Sequence, residues 1–549
     1  MSENGRTPYG SDAMLGAILR RIMPDLDSEA LYRALLAKDT RFDGRFFVGV
    51  ATTGIYCRPV CRARKPLAVN CSFYATAAEA EQAGFRPCLL CRPELAPGYA
   101  PVDSSASLAR AAARYIERNC GVQGSLTDIA RHLGCSNRHL RRVFEDAYHV
   151  RPVEYRQTCR LLLAKSLLTD TDLSVVDVAY SAGFGSLRRF NEVFRHRYRL
   201  TPTALRSQAR LSRTDGDAVQ LSLGYRPPYR WDLMLKFLAR RAIPGVEKAE
   251  EDRYARTIRL QSSGRDLTGW VTVDNDAEHN RLTVTVSASL LPALPVVLDG
   301  IKNLFDLHCE PDTVARALTS MDESALGPFI PGMRVPGCFD AFETAVLAVL
   351  GQQVTVQAAR TLAGRLVQAL GSPMDTGIDG LTTTFPMVQE LLNLDGAIEQ
   401  HLGPLGIITA RARAIHGLAA MMGSDTIDAS YCPDPEAAVA RFMEIPGIGA
   451  WTAGYIAMRC LAWPDAFLAT DLEVRKALRT PSPGKILTLA ERWKPWRAYA
   501  VMHLWNRAEA ESVSDHTTKS KKRNEKKEAM RYLSHYESPL GAMTMASDG

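Results

Sequence analysis

Residues 54–94, GIYCRPVCRARKPLAVNCSFYATAAEAEQAGFRPCLLCRPE, contain two close cysteine pairs within a run of arginines. Cys57 and Cys61 form the first pair, Cys88 and Cys91 form the second, and 26 residues separate the two pairs. A short pair lets a tight turn direct two thiolates at one metal ion, so the four cysteines predict a tetrahedral zinc site. For four cysteines in an arbitrary sequence, a purely architectural zinc ribbon is the more frequent outcome.

The residues around the cysteines point to one family of metal domains. GIYCRPVCRAR and GFRPCLLCRPE resemble the N-terminal domain of the Ada-type methylphosphotriester repair proteins. The resemblance implies one zinc ion per chain, bound by Cys57, Cys61, Cys88 and Cys91, with Cys57 as the acceptor of a methyl group from DNA. Cys71 lies between the pairs and matches no ligand position, so we expect it to be a buried, small apolar residue.

The chemistry of such a site can be argued from the residues alone. Four thiolates on one Zn²⁺ carry a net negative charge and stay electron-rich at neutral pH, so one of them can attack the methyl carbon of a phosphotriester. Methylation makes the site less negative and weakens its repulsion of DNA, so that repair can act as a switch. We expect neighbouring phosphates to be held by Arg58, Arg62, Arg64, Lys65, Arg86 and Arg92.

The length and composition of the chain indicate several soluble domains. A chain of 549 residues is too long for one core and predicts about three to five domains. The formal net charge is +7, and residues 106–206 alone hold 17 Lys and Arg against 9 Asp and Glu. Clustered positive charge of this kind is typical of a protein that binds nucleic acid.

Cysteine usage and hydropathy predict the compartment. Twelve cysteines, four of them in a metal pattern, favour a reducing environment. The opening residues MSENGRTPYG have no signal-peptide character, and the longest apolar stretches are too short to cross a bilayer. We therefore expect a cytoplasmic protein that does not contact membranes.

Residues 106–206 contain an internal repeat. IARHLG at 129–134 aligns with VAYSAG at 178–183, an offset of 49 residues, and each segment leads through a glycine turn into a second helix. The second helices are predicted at 137–145 and 186–195. From the pattern alone, these arginine-rich helices are as consistent with solvated faces as with groove readers.

LTDIARHLGCSNRHLRRVFEDAYHVRPVEY and SVVDVAYSAGFGSLRRFNEVFRHRYRLTPTALR resemble the tandem DNA-binding module of the AraC family, which follows the zinc domain in Ada-type regulators. The resemblance implies that both second helices enter the major groove. The residues implied in this contact are Arg138, Arg141, Arg142, Arg188, Arg189 and Asn191.

The second half of the chain changes from alternating to helical periodicity. From Val219, the segments VQLSLGY, YARTIRL, GWVTV and RLTVTVSA predict an antiparallel sheet, with packed helices at WDLMLKFLARR and around 296–307. No catalytic set stands out in this region. From Gly337 to about Trp505 the three- and four-residue spacing of apolar positions predicts a helical domain.

A proline-glycine hairpin within the helical region joins two predicted helices. Pro446, Gly447, Ile448 and Gly449 leave free backbone amides at the start of the next helix, where they can bind a DNA phosphate. A lone PGIG is more often an ordinary helical hairpin. Asp471 follows Gly449 after 22 residues, and this combination is more specific.

LGQQVTV, IPGIGAWTAGYIAM and AERWKPWRAYAVMHLW make residues 217–510 resemble the AlkA-type 3-methyladenine glycosylases of the helix-hairpin-helix superfamily. The resemblance implies that Asp471 is catalytic and that Trp451, Tyr455 and Trp505 line the pocket for the flipped base. Aromatic residues are otherwise most often core residues. Gln353 stands where a compared family member has a leucine wedge that fills the emptied DNA stack.

Two features limit the expected chemistry. Trp451 occupies the position of the Schiff-base lysine of bifunctional superfamily members, so we expect a monofunctional glycosylase without a lyase step. The last cysteine is Cys460, so no iron–sulfur cluster is expected. The tail YLSHYESPLGAMTMASDG resembles the opening strands of an alkylguanine alkyltransferase domain without its acceptor cysteine, and we expect no repair of O6-alkylguanine.

The sequence thus predicts a multidomain α+β protein that combines methyl acceptance at Cys57, transcription activation and excision of alkylated purines. Expected partners are double-stranded DNA, both alkylated and promoter, and RNA polymerase; the chain is expected to be a monomer. One alternative is a regulator with structural zinc and an inactive, DNA-binding glycosylase half, and another is a glycosylase with a DNA tether.

The predicted parts are a mobile N-terminus (1–12), zinc methyl-acceptor domain (13–95), all-α tandem helix-turn-helix (106–206), α+β antiparallel-sheet domain (217–330), all-α helix-hairpin-helix glycosylase domain (331–512), and a charged linker with a truncated alkyltransferase-like remnant (513–549).

Overall fold

The fold is described by a computed structural model, and it is the mixed α+β fold that the sequence predicts. The predicted mobile N-terminus and the charged stretch before the tail lie outside the described residues. So do most of the two segments, near 95–106 and 207–217, that join the first three predicted domains. The described residues are 27–39, 42–93, 96, 107–121, 125–208, 218–250, 252–262, 264–319, 321, 329–423, 432 and 434–508, with the backbone of 532–538 and 541–547.

The N-terminal domain (residues 27–93) is a small sheet with two helices. Helix α1 begins after its N-cap Asp27, whose side chain accepts a hydrogen bond from the Ala30 amide. The strand order is β3-β1-β2-β4, antiparallel except for the parallel pair β2 and β4. The elements are α1 (Ser28–Ala37), β1 (Phe47–Val50), β2 (Ile55–Cys57), β3 (Cys71–Tyr74), α2 (Ala77–Gln82) and β4 (Arg86–Pro87).

Seven helices lie among the described residues between 107 and 208, and they include the two predicted helix-turn-helix units. Serine side chains cap both second helices: Ser136 caps α5, and Ser186 caps α8. Both helices run three residues further than predicted. Gly183 makes the second turn at a φ of +82°, and a Cβ there would meet the Cys120 carbonyl oxygen at 2.6 Å. The helices are α3 (Ser107–Arg118), α4 (Leu126–His132), α5 (Asn137–Tyr148), α6 (Pro152–Asp170), α7 (Val175–Ser181), α8 (Leu187–Tyr198) and α9 (Pro202–Gln208).

Glu81 is a buried carboxyl at the contact between the N-terminal domain and the helix-turn-helix module. It accepts hydrogen bonds from the Tyr56 hydroxyl at 3.1 Å and the Thr158 hydroxyl at 3.0 Å. Burial raises the pKa of Glu81 to about 7, although these hydrogen bonds lower it. The contact is therefore most stable when Glu81 is protonated.

The substitution Glu81→Gln is expected to remove a pH dependence of stability. Because the pKa is higher in the folded state, the stabilisation is complete below the unfolded pKa of about 4.3 and is lost as the pH rises through about 7. Wild-type protein should lose up to about 3 kcal/mol more unfolding free energy over this window than the variant, because Glu79, Glu343 and Asp306, whose pKa values are also raised, titrate in both. Urea unfolding of both proteins at pH values below and above the window measures the difference. An equal change of unfolding free energy with pH in wild-type protein and in the variant would contradict the prediction.

The C-terminal half (residues 218–508) begins with a five-stranded antiparallel sheet of order β5-β9-β8-β7-β6. The sheet and the second helix-turn-helix unit share one apolar core, in which Phe190 and Phe194 lie with Val284. The sequence predicts four of the strands and both main helices; it misses β6. The elements are β5 (Ala218–Gly224), α10 (Trp231–Arg241), β6 (Glu247–Glu250), β7 (Arg253–Ser262), β8 (Arg265–Asp276), β9 (Arg281–Ser287), α11 (Leu294–Leu304) and α12 (Pro311–Leu318).

The rest of the C-terminal half is helical and has a core of its own. Across all the described residues, short 3-10 helices lie at Ala68–Asn70, Ala277–His279, Ala288–Ala293, Gly403–Leu405 and Glu491–Trp493. In the tail, β10 (Tyr532–Ser538) pairs with β11 (Gly541–Ser547). In the described part of the chain, none of the helices has the length and hydropathy needed to span a membrane. The remaining helices are α13 (Ala341–Leu350), α14 (Val356–Leu370), α15 (Val388–Leu392), α16 (Ile398–Leu402), α17 (Thr409–Gly423), α18 (Pro435–Met443), α19 (Ala450–Arg459), α20 (Leu472–Ala477) and α21 (Pro483–Ala490).

Candidate zinc centre and base pocket

The four cysteines predicted to bind zinc come together in the N-terminal domain. Cys57 ends β2 and Cys88 follows β4, and the parallel pairing of these strands places the two residues side by side. The four sulfur atoms lie within 4.8 Å of one another. Tetrahedral zinc with Zn–S bonds of about 2.3 Å needs sulfur separations of about 3.8 Å, so the donor set fits this metal. Cys71 lies outside the cluster and is buried, as expected.

The sulfur atoms share protons in the cluster. Hydrogen bonding with Cys61 raises the pKa of Cys57, and the same contact lowers the pKa of Cys61 to about 7. Bringing four thiolates together without a cation is unfavourable because like charges repel. A divalent metal would replace the shared protons and let all four sulfurs bind as thiolates.

Backbone amides donate to two of the four sulfur atoms. The Arg58 amide donates to Cys91 Sγ at 3.3 Å, and the Ala63 amide donates to Cys61 Sγ at 3.5 Å. Among the hydrogen bonds of the described residues, no amide donates to Cys57 Sγ. Such bonds withdraw electron density from a sulfur, and the role of half-buried Cys57 as the acceptor stays a prediction.

The predicted phosphate-binding arginines around the cluster have different environments. Arg58 forms an ion pair with buried Asp43, and Arg92 forms one with Asp170 of α6 at 2.6 Å. Arg62 and Arg64 are exposed. Sequence reasoning missed Asp43, which lies 15 residues from Arg58 and belongs to no recognisable motif.

The predicted DNA-reading side chains project from two exposed helix faces. On α5, Arg138, Arg141 and Arg142 are exposed. On α8, Arg188 and Arg189 are exposed and Asn191 is half-buried. The apolar side chains of the same helices, such as Leu140 and Phe190, are fully buried. The fold therefore leaves the basic faces accessible, while the residues that contact bases stay a prediction.

Asp471 lies at the N-terminus of α20 and accepts four hydrogen bonds. Its Oδ1 accepts from the backbone amides of Glu473 and Val474, both at 2.9 Å, and from the Trp505 indole N–H at 2.9 Å. Its Oδ2 accepts from the Trp451 indole N–H at 2.8 Å. The four donors fix the direction of the carboxyl group.

The three aromatic residues predicted to form the base pocket lie together, and two of them, Trp451 and Trp505, donate to this carboxylate. The rings of Trp451 and Tyr455 stack with centroids 5.2 Å apart, and Trp505 lies 6.3 Å from Tyr455. The Arg459 guanidinium donates to the Tyr455 hydroxyl at 2.7 Å. Although burial raises the pKa of Tyr455, Arg459 and Arg241 lower it overall.

Sequence reasoning missed two pocket residues on α10. Phe237 stacks on Trp505 with centroids 6.2 Å apart, and the Arg241 guanidinium lies 3.8 Å from the Phe237 ring centre. The available signal was the aromatic-basic pair at i and i+4, which shares one helix face. The sheet domain thus contributes to the site, contrary to the expectation that no catalytic set lies there.

The predicted hairpin joins α18 and α19 and exposes Gly447 and Gly449. Gly447 adopts a φ of +92°, which favours glycine. Gln352 Nε2 donates to the Gly447 carbonyl at 2.9 Å and so ties the loop after α13 to the hairpin. Gln353, the predicted wedge residue, is exposed beside it at a φ of +53°.

Comparison with known families agrees with this arrangement. Residues 30–94 match the family described as the metal-binding domain of Ada. Residues 129–208 match a helix-turn-helix domain, and residues 220–340 match the AlkA N-terminal domain. The Ada match and the four-sulfur cluster together support zinc as the metal.

Similar proteins cover nearly the whole chain. A probable bifunctional transcriptional activator/DNA repair enzyme AlkA from Mycobacterium tuberculosis is 36% identical over 492 residues, covering 88% of this chain and 97% of that protein. DNA-3-methyladenine glycosylase 2 of Escherichia coli is 38% identical, covering 52% of this chain and 96% of that protein. The solved 3-methyladenine DNA glycosylase of Archaeoglobus fulgidus is 20% identical with a TM-score of 0.43, covering 52% of this chain and 98% of that chain.

The zinc-type cluster, the helix-turn-helix pair and the aromatic pocket define a multidomain DNA-binding repair protein with two separate sites. The chain belongs to the family of bifunctional Ada/AlkA-type transcriptional activators and DNA repair enzymes.

Proposed function

We propose that this chain accepts methyl groups from DNA methyl phosphotriesters at Cys57, activates transcription, and excises alkylated purines of the 3-methyladenine type at Asp471. The single observation that carries the proposal is the pair of separate reactive centres. One is a four-sulfur cluster that includes half-buried Cys57, and the other is a carboxylate bonded to two tryptophans of an aromatic cluster.

Methyl transfer at the first centre is a direct displacement. A bound Zn²⁺ keeps the four sulfurs deprotonated at neutral pH. Cys57 Sγ attacks the methyl carbon in line with the departing phosphate oxygen, the carbon–oxygen bond breaks, and the products are a thioether and an ordinary phosphodiester. Each Cys57 reacts once, so the transfer is stoichiometric. Exposed Arg62 and Arg64 attract the neighbouring phosphates.

Base excision at the second centre is a hydrolysis of the N-glycosidic bond. Asp471 carries negative charge where positive charge develops on the sugar as the base departs. Water then completes the reaction, because Trp451 stands where a lyase would have its lysine. We therefore assign a monofunctional glycosylase.

The pocket chemistry suits a cationic alkylated base. The stacked faces of Trp451 and Tyr455 attract a positively charged purine through stacking and cation–π contact. Contact between Tyr455 and Arg459 orients the phenol ring at the back of the pocket. The positive charge that N-alkylation places on a purine also makes it a better leaving group. Binding and chemistry therefore favour the same substrates.

Trp505→Phe is expected to lower the rate of base release by about tenfold or more, because it removes one donor to Asp471 while keeping an aromatic ring. The loss should fall on the single-turnover rate, with DNA affinity nearly unchanged. Single-turnover release from methylated duplex DNA measures it. Trp493→Phe, a change at a buried tryptophan outside the pocket, is the matched control. A wild-type rate for Trp505→Phe would show that the indole N–H does not contribute.

We further propose that each chain binds one zinc ion and is a monomer in the cytoplasm. We also propose that its domains have the boundaries that the sequence predicts. Both helix-turn-helix units bind the promoter through α5 and α8, whose arginines are exposed. The module then contacts RNA polymerase as an activator. The hairpin glycines and Gln353 contact the DNA of the repair complex.

One incubation separates the proposal from its rivals. Duplex DNA treated with a methylating agent carries both phosphotriesters and N-methyl purines. The proposal expects free 3-methyladenine together with methylation of the peptide that contains Cys57. Absence of free base would leave a regulator with an inactive glycosylase half, and absence of the methylated peptide would leave a tethered glycosylase.

A further inference from the structure

Arg58, next to the proposed acceptor, is bonded on two sides. Its backbone amide donates to Cys91 Sγ at 3.3 Å, and its Nη1 donates to the Cys91 carbonyl at 3.2 Å. Its Nε donates to Asp43 Oδ1 at 2.7 Å, and its Nη2 pairs with Asp43 Oδ2. The carboxylate of Asp43 therefore fixes the guanidinium, and the guanidinium fixes the backbone that carries Cys91.

Asp43 is fixed in turn by a residue of the C-terminal half. Arg226, just after β5, is 1% exposed, and its Nε donates to the Asp43 carbonyl at 3.1 Å. Arg226 Nη1 donates to the carbonyls of His308 and Cys309, both at 3.4 Å. A buried guanidinium bonded to three carbonyl oxygens is a rigid bridge, because breaking it would leave buried polar groups unsatisfied.

A second contact joins the same two parts of the chain. Arg45, two residues beyond Asp43, forms an ion pair with Glu310 at 3.4 Å, and both side chains are largely buried. The segment that presents Asp43 is thus held by the C-terminal half at two points. Neither point is part of the base pocket around Asp471.

We propose that Arg226 is a positioning residue for the zinc centre, acting through the relay of Asp43, Arg58 and Cys91. The proposal rests on the proposed methyl acceptance at Cys57. The C-terminal half holds Asp43, Asp43 holds Arg58, and the Arg58 amide maintains the hydrogen bond to Cys91 Sγ that leaves Cys57 the more reactive sulfur. Since coupling between sites is reciprocal, a ligand that shifts the zinc centre also changes the stability of this contact.

The test uses Arg226→Met in the full-length zinc protein. Partners that orient metal ligands typically contribute tenfold or more, so we expect methyl transfer to Cys57 to slow about tenfold while zinc is retained and base release is unchanged. The sulfur-to-metal charge-transfer band of the cobalt-substituted protein should shift, because the hydrogen bond on Cys91 changes. Arg253→Met, which alters an exposed arginine of the same sheet domain, is the matched control. It should change neither the rate of methyl transfer nor the cobalt band.

Asp43→Asn tests the next step of the relay. It keeps the carbonyl that Arg226 binds and weakens the hold on Arg58, so it should slow methyl transfer as Arg226→Met does. If both residues act through one relay, the double variant should be no slower than the slower single variant. Additive losses, or an unchanged rate and cobalt band in Arg226→Met, would overturn the proposal.

A charge swap covers the case in which Arg226→Met disrupts the C-terminal half. Arg45→Glu and Glu310→Arg should each slow methyl transfer, and the two together should restore it. A swapped pair as slow as the single variants would overturn the proposal. If wild-type protein accepted no methyl group, the proposed function would fail; the cobalt band, which needs no methyl transfer, would still report on the relay.

Discussion

Replacing Asp471 with asparagine should reduce release of 3-methyladenine from methylated duplex DNA by about a thousandfold or more. The carboxylate accepts four hydrogen bonds, and in the proposed reaction it supplies the negative charge beside the sugar. Asparagine keeps the shape but removes the charge, and its amide nitrogen would face an N–H donor. Single-turnover release of the free base measures the loss.

Glu473→Gln is the matched control for this change. Glu473 lies two residues away on the same helix, and its carboxylate pairs with Lys476 at 2.8 Å instead of facing the pocket. The control should release base at the wild-type rate, and Asp471→Asn should still bind abasic-site DNA. Undiminished release by Asp471→Asn would reject this residue as the catalytic group.

Cys57→Ser should abolish methyl acceptance from methyl phosphotriester DNA and leave base release unchanged. A serine hydroxyl is a far weaker nucleophile than a thiolate at neutral pH. The zinc affinity of the variant should also fall, because three thiolates remain. Mass spectrometry of the peptide that contains residue 57, after exposure to phosphotriester DNA, detects the added methyl group.

Cys71→Ala controls for the loss of a cysteine in the same small domain. Cys71 is buried at the start of β3, and burial raises the pKa of its thiol to about 11, which makes it unreactive. This variant should accept a methyl group as wild-type does. A methyl group found on another cysteine of Cys57→Ser would show that Cys57 is not the acceptor.

The sequence predicts features that are carried by local patterns. Close spacing within each cysteine pair predicts the four-sulfur cluster, and the internal repeat with its glycine turns predicts α5 and α8. The hairpin glycines and the downstream Asp471 can be predicted for the same reason. In each case, the residues that form the feature are close in the chain or belong to a recognised motif.

Other features could not be predicted because they depend on contacts between distant segments. Glu81 meets Thr158 from another domain, and Arg226 meets Asp43 across 183 residues. Each of these residues looks like an ordinary surface charge in the sequence. Only the packing of domains shows that burial raises the pKa of Glu81 and makes Arg226 a bridge. The helix ends beyond the predicted limits also reflect tertiary packing of Tyr148 and Tyr198.

The central claim is that one chain performs two independent repair reactions, at Cys57 and at Asp471. The most direct test exposes wild-type protein, Cys57→Ser and Asp471→Asn to the same methylated duplex DNA and measures peptide methylation and free base together. We predict that wild-type protein gives both products, Cys57→Ser gives only free base, and Asp471→Asn gives only the methylated peptide. Loss of both products in either single variant, or of neither, would contradict the account.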